Sequence, residues 1–576
     1  MKAVHLKSEI AKTNLTFFDR LTALSYKIFQ RYADGIASKT PQLKEEILKS
    51  DLHLAPQGLI SLALFLTLLS SIMALLGSLI GLTKGVPIAT FLLLAPPIVF
   101  LLVWNAPKFS QSSRAAAFEN ELPFLIGFMA AMAGGGLSPI TTFRRVASLS
   151  NIFPASSKEA KRILVDIDVF GLDPISALEK AARYNPNKTF AEFLYGYITT
   201  LKMGGDHVNY LNLKLSEIYE ERGAKIKRTS ETIGMLAESY IILTAVLGIS
   251  LFAIYQTQSM FSNLNSGLET ILLFSFLGIP LISFIYIWLL DQIQFKQPFL
   301  DKQTYKLFLF STLIGASIYL ILTYCATNVL PQYLITALAL IVCVAPPAAS
   351  AYLEAKNRYG LEKMLPIFLK DISEGRKMGL SPEKCIESLG NRNYGYLTKH
   401  IRKMSYQLSW GLPIRKVLST FNHEVKSWLT KVIGSIVMEV IEVGGGTLQS
   451  FVEMSKFTHT IDELERSKRA SLKPYIFIMY FAAVLSVFSL FLTILFITQP
   501  LVPSNLANPV TTTQTTIGNT TNLLLTAAVF QSWVIGLVAG KMGEGSVAQG
   551  FKHSLILVTL TVLAAYLLRL FIPVPF

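Results

Sequence analysis

Charge is scarce in this 576-residue chain: 15% of its residues are Asp, Glu, Lys or Arg, against about 25% in an ordinary soluble domain. With 52% hydrophobic residues and a positive mean hydropathy, much of the chain must sit in lipid. Cysteine is scarcer still. Cys325 and Cys343 lie in apolar runs and Cys385 in a polar stretch, which gives neither a disulfide framework nor a metal-ligand spacing. The seven histidines are scattered, without metal spacing. No Gly-x-x-x-x-Gly-Lys-Ser/Thr phosphate loop occurs; Gly540-Lys541-Met542-Gly543-Glu544-Gly545 has the glycines without the order, and it follows an apolar run rather than a strand. No nucleophile–histidine–acid set stands out. These absences point away from an enzyme and imply no metal, cofactor or catalytic residue. The net charge of +15 would suggest nucleic acid if it were spread over a soluble domain. Here the placement of the charge matters more, and no nucleic acid is expected. The chain is polar through Pro56, which predicts no cleavable signal peptide and leaves insertion to the first apolar run.

Crossing a bilayer takes about 20 apolar residues. Nine runs qualify, near 59–80, 86–104, 236–256, 269–290, 307–325, 332–353, 475–497, 523–540 and 554–572, the eighth interrupted by Gln531 and Ser532. Placing the N-terminus in the cytoplasm puts 50 of the 52 Lys and Arg on the inner side, the exceptions being Lys84 and Arg569, as the positive-inside rule asks. The C-terminus then lies outside. The expected division is an inner segment 1–58, a hairpin of spans 59–104, a polar module 105–235, four spans over 236–353, a second module 354–474, and three spans over 475–576. The outer loop 498–522 in that last part is Thr- and Asn-rich and carries a glycosylation sequon at Asn519. Glu238, Glu269 and Asp291 fall at span ends, and the seventh span holds no charge, which weighs against a secondary transporter with regulatory cytoplasmic modules.

What is present is a duplication. Leu122-Pro123, twelve residues and Gly136-Leu137-Ser138-Pro139 reappear as Leu365-Pro366, twelve residues and Gly379-Leu380-Ser381-Pro382, at one offset of 243. Ala95-Pro96-Pro97 matches Ala345-Pro346-Pro347 at an offset of 250, so the first copy has about seven extra residues between the prolines and its module. Each unit is two spans, a module, then two spans. The ninth span is an addition, and the repeats are parallel rather than inverted.

The modules read as helical throughout, about six helices each. Phe190, Phe193, Leu194, Tyr197, Ile198 and Leu201 keep the spacing of one apolar helix face. Gly204-Gly205 then ends that helix, Gly205 being expected in the left-handed region, and Asp206 caps the next. In the second copy Gly444-Gly445-Gly446 and Thr447 do the same, with Gly446 as the left-handed residue. Ser138 and Ser381 suit the cap position, and Pro139 and Pro382 the first helical turn, where no amide hydrogen is needed. Gly171-Leu172-Asp173-Pro174 and Gly411-Leu412-Pro413 form a second such junction. Each module ends in a basic stretch leading to a span: Arg222, Lys225, Lys227 and Arg228, then Arg466, Lys468, Arg469 and Lys473. Such residues serve as stop-transfer charge beside anionic headgroups, or mark helices that run unbroken from module to membrane.

Paired helical modules with Gly-Leu-Ser-Pro, a later Gly-Leu-x-(x)-Ala/Val-Leu (Gly171 to Leu178, Gly411 to Leu418) and a glycine turn before a capped helix resemble the type II secretion system F domain. This is the platform family of bacterial pilus and secretion systems, Tad pili and archaella. Nine spans in a chain of this length are most similar to its archaeal branch, and the resemblance covers roughly 110–260 and 355–500. It implies an all-α polytopic membrane protein with two F-type bundles, non-enzymatic, at the base of a filament of pilin- or archaellin-like subunits. It further implies a cytoplasmic hexameric ATPase as motor and a homodimeric platform among membrane lipids. On that reading Arg144, Arg145, Arg376, Lys377 and the basic residues after the glycine turns are the expected contacts with an acidic ATPase face.

Overall fold

The computed structural model describes residues 17–50, 52, 54–83, 95–260, 272–294, 302–325, 330–442, 447–498 and 511–571; among these every regular element is helical. The chain divides into two compact units, Met1–Leu215 and Ser216–Phe576.

The first unit opens with α1 (Phe17–Lys39), kinked at Phe29, then α2 (Pro41–Lys49), α3 (Pro56–Thr83) and α4 (Ala95–Trp104). Leu68, Leu69, Ile72, Met73, Leu75 and Leu76 of α3 are exposed, a lipid-facing wall rather than a soluble surface. Next comes an up-and-down bundle: α5 (Ala106–Gly134), α6 (Pro139–Ser148), α7 (Pro154–Asp168), α8 (Pro174–Tyr184), α9 (Lys188–Lys202) and the start of α10 (His207–Met260). Its core holds the aromatic face read from the sequence: Phe190, Phe193, Leu194, Tyr197 and Ile198 are buried, with Phe193 stacked on Tyr197 at 5.9 Å.

In the second unit, α11 (Ile279–Ile293, preceded by a π turn at Phe274–Gly278) and α12 (Lys302–Cys325) lead to α13 (Gln332–Lys377). A second bundle follows: the far half of α13, α14 (Pro382–Ser388), α15 (Thr398–Ser409), α16 (Ile414–Glu424), α17 (Trp428–Glu442) and the near half of α18 (Leu448–Thr498). The chain closes with α19 (Thr511–Glu544) and α20 (Val547–Phe571). Both α13 and α18 pass from apolar to polar sequence without a break. Pro346, Pro347, Pro366 and Pro474 are accommodated inside them, so the junctions expected at 353–354 and 474–475 are continuous helix.

Seven helices among the described residues are long and apolar enough to cross a membrane: Pro56–Ser78, Phe274–Ile293, Gln303–Cys325, stretches of Gln332–Lys377 and Leu448–Leu495, Thr520–Glu544 and Val547–Leu567. Of the other two expected spans, 86–104 is described only as α4, and 236–256 is the C-terminal part of α10, where many side chains lie outside the described residues. The polar interruption of the eighth span has a packing explanation. Ser486 donates to Gln531 Oε1 at 2.7 Å, and the Ser532 and Thr561 hydroxyls lie 2.6 Å apart. These groups are buried between helices, where interhelical hydrogen bonds hold membrane bundles together. A Cβ on Gly540 would overlap the Gly550 backbone, so α19 and α20 meet main chain to main chain.

Candidate functional site

Each bundle has two ends, and the chemistry differs between them. At the end beside the apolar helices the loops are tied down by charge. In the first bundle, Arg114 Nε and Nη2 donate to the two Glu159 oxygens at 2.8 Å each, while Arg114 Nη1 donates to the Lys49 carbonyl at 2.7 Å. Arg162 adds a third cationic contact to Glu159 at 2.9 Å. Glu121 accepts from the Ala155 and Ser156 amides at 3.1 and 2.7 Å, a carboxylate on the free amides of the α7 N-terminus. Burial nevertheless pushes the Glu121 carboxyl above its ordinary value, opposed by those amides.

The second bundle uses other residues. Further along the bundle, about two helical turns before the Gly379 turn, Asp371 accepts from the Tyr394 hydroxyl at 2.5 Å and pairs with Arg392 at 2.9 Å. Burial, then the hydrogen bond to Asp371, pushes the Tyr394 phenol up. Ser427 donates to Glu362 Oε1 at 2.9 Å, and Arg469 lies 3.5 Å from Glu362 Oε2 with its guanidinium over the Tyr359 ring. That contact fastens α18 to α13 at the level where both enter their apolar stretches.

The opposite end is built from left-handed glycines. Gly136 and Gly379 have φ of +82° and +84°. Leu137 N donates to Met132 O at 3.1 Å and Leu380 N to Gly375 O at 3.2 Å, closing the same helix-ending motif in both copies. Ser138 and Ser381 accept from the third amide of the next helix at 3.4 and 3.3 Å, with Pro139 and Pro382 in its first turn. Gly171 and Gly411 repeat the left-handed turn at +67° and +75°, and Asp173 caps α8, accepting from Ser176 N at 3.0 Å. Asp206 accepts from the Val208 and Asn209 amides, both at 3.0 Å, and Thr447 from Ser450 N at 3.2 Å.

One expectation needs correcting. The left-handed residue of the first bundle's last turn is Gly204, at φ +67°, not Gly205. Gly205 stands one position further on and donates to Thr200 O at 2.9 Å. Gly445 and Gly446 lie outside the described residues, and so does the side chain of Asn519.

The basic candidates are distributed less simply than their sequence suggests. Arg144 is exposed but pairs with Asp168 at 2.7 Å, and Arg145 is half-buried. Arg376 donates to the Leu380 carbonyl at 2.7 Å, bracing the Gly379 turn, while Lys377 beside it is exposed. Lys225, Lys227 and Arg228 are exposed and Arg222 half-buried on α10. On α18, Arg466 pairs with Asp462 at 2.8 Å and Lys468 with Glu465 at 3.8 Å, and Arg469 makes the tie to Glu362. The α18 stretch is thus engaged with its own carboxylates, and these three cations are ties within the unit before they are anything else.

The glycine-turn ends carry what the sequence did not flag. The residue ahead of the left-handed glycine is large, apolar and exposed at four turns: Phe170 and Met203 in the first bundle, Met378 and Trp410 in the second. Trp410 is 82% exposed, and Tyr406, one helical turn earlier, is 59% exposed. Phe170 and Trp410 are equivalent positions of the two copies. A side chain that closes a helix end points outward whatever its polarity, so only the repeated choice of a bulky apolar residue signals a surface that something else covers.

Residues 125–255 and 368–495 each match the family model described as Type II secretion system (T2SS), protein F. The two matches begin 243 residues apart, the spacing of the Gly-Leu-Ser-Pro motifs. An uncharacterised protein of Methanocaldococcus jannaschii is 24% identical over 495 residues, which is 80% of this chain and 81% of that protein. Flagella accessory protein J of the same organism is 21% identical over 432 residues, 71% of this chain and 75% of its own. No solved structure matches. With two copies of the matched domain and seven apolar helices long enough to cross a membrane among the described residues, the chain is a multi-pass membrane protein that carries two type II secretion system protein F domains and is similar to the archaeal Flagella accessory protein J.

Proposed function

We propose that this protein is the membrane platform of a type IV filament machine, an archaellum or archaeal pilus, which couples a cytoplasmic hexameric ATPase to insertion of pilin-like subunits or to filament rotation. It does so without chemistry of its own. The observation that carries this reading is the duplicated helical bundle joined to spanning helices by α13 and α18, which have no hinge between polar and apolar halves. A push on such a bundle is transmitted into the membrane rather than absorbed at a loop. Both modules face the cytoplasm with the N-terminus, the C-terminus lies outside, and the platform works as a homodimer under a symmetric motor.

In this reading the ATPase rests on the glycine-turn ends. Trp410, Tyr406 and Met378 in the second bundle, and Phe170 and Met203 in the first, are its apolar anchors. Arg144, Arg145 and Lys377 steer the encounter, with Lys225, Lys227 and Arg228 further along. Exposed aromatics on a face that also carries cations have the composition of binding hot spots. The test is binding of the ATPase encoded beside this gene to the full-length protein in detergent, at low and high salt. Wild type should bind and change ATP turnover, and Phe170→Ala with Trp410→Ala should weaken binding at least tenfold at both salt concentrations. Arg144→Glu with Lys377→Glu should slow association mainly at low salt. No binding by folded wild-type protein at any salt would remove the platform reading.

A further inference from the structure

Helix α1 lies outside both matched domains, and its surface is sorted in an unusual way. Thr22 and Ser25 pack on Gly58 and Ser61, with the two serine hydroxyls 3.3 Å apart and both buried. Gly58 and Ser61 belong to the first two turns of the apolar helix Pro56–Ser78, so α1 crosses α3 at the level where the spanning stretch begins. Leu24, Ile28 and Tyr32, spaced by four, form a row that is 53%, 57% and 68% exposed. Beside it runs a second exposed row, Arg20, Lys27 and Arg31, none of which forms an ion pair among the described residues. Going round the helix, the buried face gives way to the apolar row, then to the basic row, then to Ala23, Gln30 and Asp34.

We propose that α1 is an interfacial anchor that lies in the headgroup layer of an anionic membrane. Leu24, Ile28 and Tyr32 dip below the phosphates, and Arg20, Lys27 and Arg31 reach up to them. Water is a poor neighbour for three aligned large apolar side chains, and a second protein would leave three cations to be matched one by one. A lipid surface satisfies both rows at once, because basic side chains extend from an apolar stem to the phosphate level. The helix already touches a spanning helix at that depth. Anionic lipid, rather than neutral lipid, follows from the charge of the second row.

The experiment uses full-length protein in nanodiscs of phosphatidylcholine with or without phosphatidylglycerol. Cys325 is the exposed cysteine among the three, all of which are free, so the background carries Cys325→Ser. A nitroxide is placed at Ile28→Cys or, as control, at Ala23→Cys. In anionic discs the label at 28 should be reached by oxygen several-fold better than by a water-soluble nickel chelate, and the label at 23 should show the reverse. Lys27→Glu with Arg31→Glu should erase most of that difference at low salt in anionic discs and leave neutral discs unchanged. Equal nickel access at 28 and 23 would overturn the proposal by showing a solvated face. A label at 28 shielded from both probes would overturn it by showing a protein partner.

Discussion

The two bundles agree in their turns and disagree in their buried charges. Gly136 and Gly379 differ by 2° in φ, and the serine caps and first-turn prolines after them are interchangeable. At the offset of 243, however, Arg114 and Glu121 of the first bundle meet Asn357 and Met364 of the second, and Asp371 of the second meets Phe128 of the first. Duplicated chains keep what the backbone cannot replace. A left-handed turn needs glycine, and a helix start needs an acceptor for its free amides. A bundle's loops, by contrast, can be tied to the membrane end by any charge pair that satisfies its own lone pairs. The turns therefore define the domain, and the ion pairs individualise the copies.

The largest expected effect breaks that comparison at its charges. Arg114 and Glu159 are 10% and 7% exposed, so Arg114→Ala leaves a buried carboxylate to the partly exposed Arg162 and frees the Lys49 carbonyl; losing one partner of a buried pair costs about 3–5 kcal/mol, and the Arg162 contact should hold the loss near the lower figure. Arg392 is 57% exposed, and Asp371 keeps the Tyr394 hydroxyl when it is lost. Arg392→Ala should cost at most about 1 kcal/mol. Hydrogen exchange of the full-length protein in detergent, read at α7 and at α13, measures both. Equal losses would mean that the two ends are held in the same way after all.

Legibility from sequence follows this division. The turns were readable because every bond that makes them closes within six residues, and glycine, serine and proline carry the geometry themselves. The aromatic face of α9 was readable from its period. Glu159 stands 45 residues from Arg114, and Glu362 stands 107 from Arg469; no local pattern pairs them. The basic stretch 466–469 looked like one surface because its carboxylate partners come partly from another helix. Trp410 and Phe170 give no signal in the sequence, because a residue at a helix end has no periodic neighbours to say which way it faces. Sequence does not choose between Gly204 and Gly205, since two adjacent glycines are equally permissive and a helix end shifts easily by a residue.

The difference between these two glycines sharpens the turn half of the comparison. Gly204→Val puts a β-branched residue at φ +67°, and Gly136→Val and Gly379→Val do the same at +82° and +84°, each costing roughly 1–2 kcal/mol or more. Gly136→Val and Gly379→Val should lose equal stability, because their turns are equivalent. Gly205 is not left-handed, and its Cβ would sit 3.2 Å from the Thr200 methyl. Gly205→Val should cost only about 0.5 kcal/mol, the range of ordinary surface changes. Protection of the α9 amides in hydrogen exchange separates the two, and a Gly205→Val loss as large as that of Gly204→Val would return the left-handed role to Gly205.

The smallest effect tests the charges by pH, and the His400 corner of the second bundle and the Glu121 junction of the first should respond in opposite directions. Burial holds the His400 imidazole below its ordinary value near 6.5, with Glu424 opposing and Lys399 and Lys403 assisting. A lowered histidine contributes stability that is present above the unfolded value and is lost as the pH falls below it. Glu121 is displaced the other way, above its ordinary value near 4.5, by burial. Its contribution is fullest below that value and is lost as the pH rises through the raised one. Glu424 is held low by its hydrogen bond from Lys403, so it begins to lose stability only below 4.5, outside the window. Between pH 6.5 and 4.5, falling pH should therefore loosen α15 and α16 while tightening the junction of α5 with α7. Exchange protection in the full-length protein, corrected for the intrinsic pH dependence of exchange, reads both segments in one sample. The α15 and α16 response should vanish in His400→Gln, and the α7 response in Glu121→Gln. Two segments that move together would show that mild acid acts on the protein as a whole and not on these two groups.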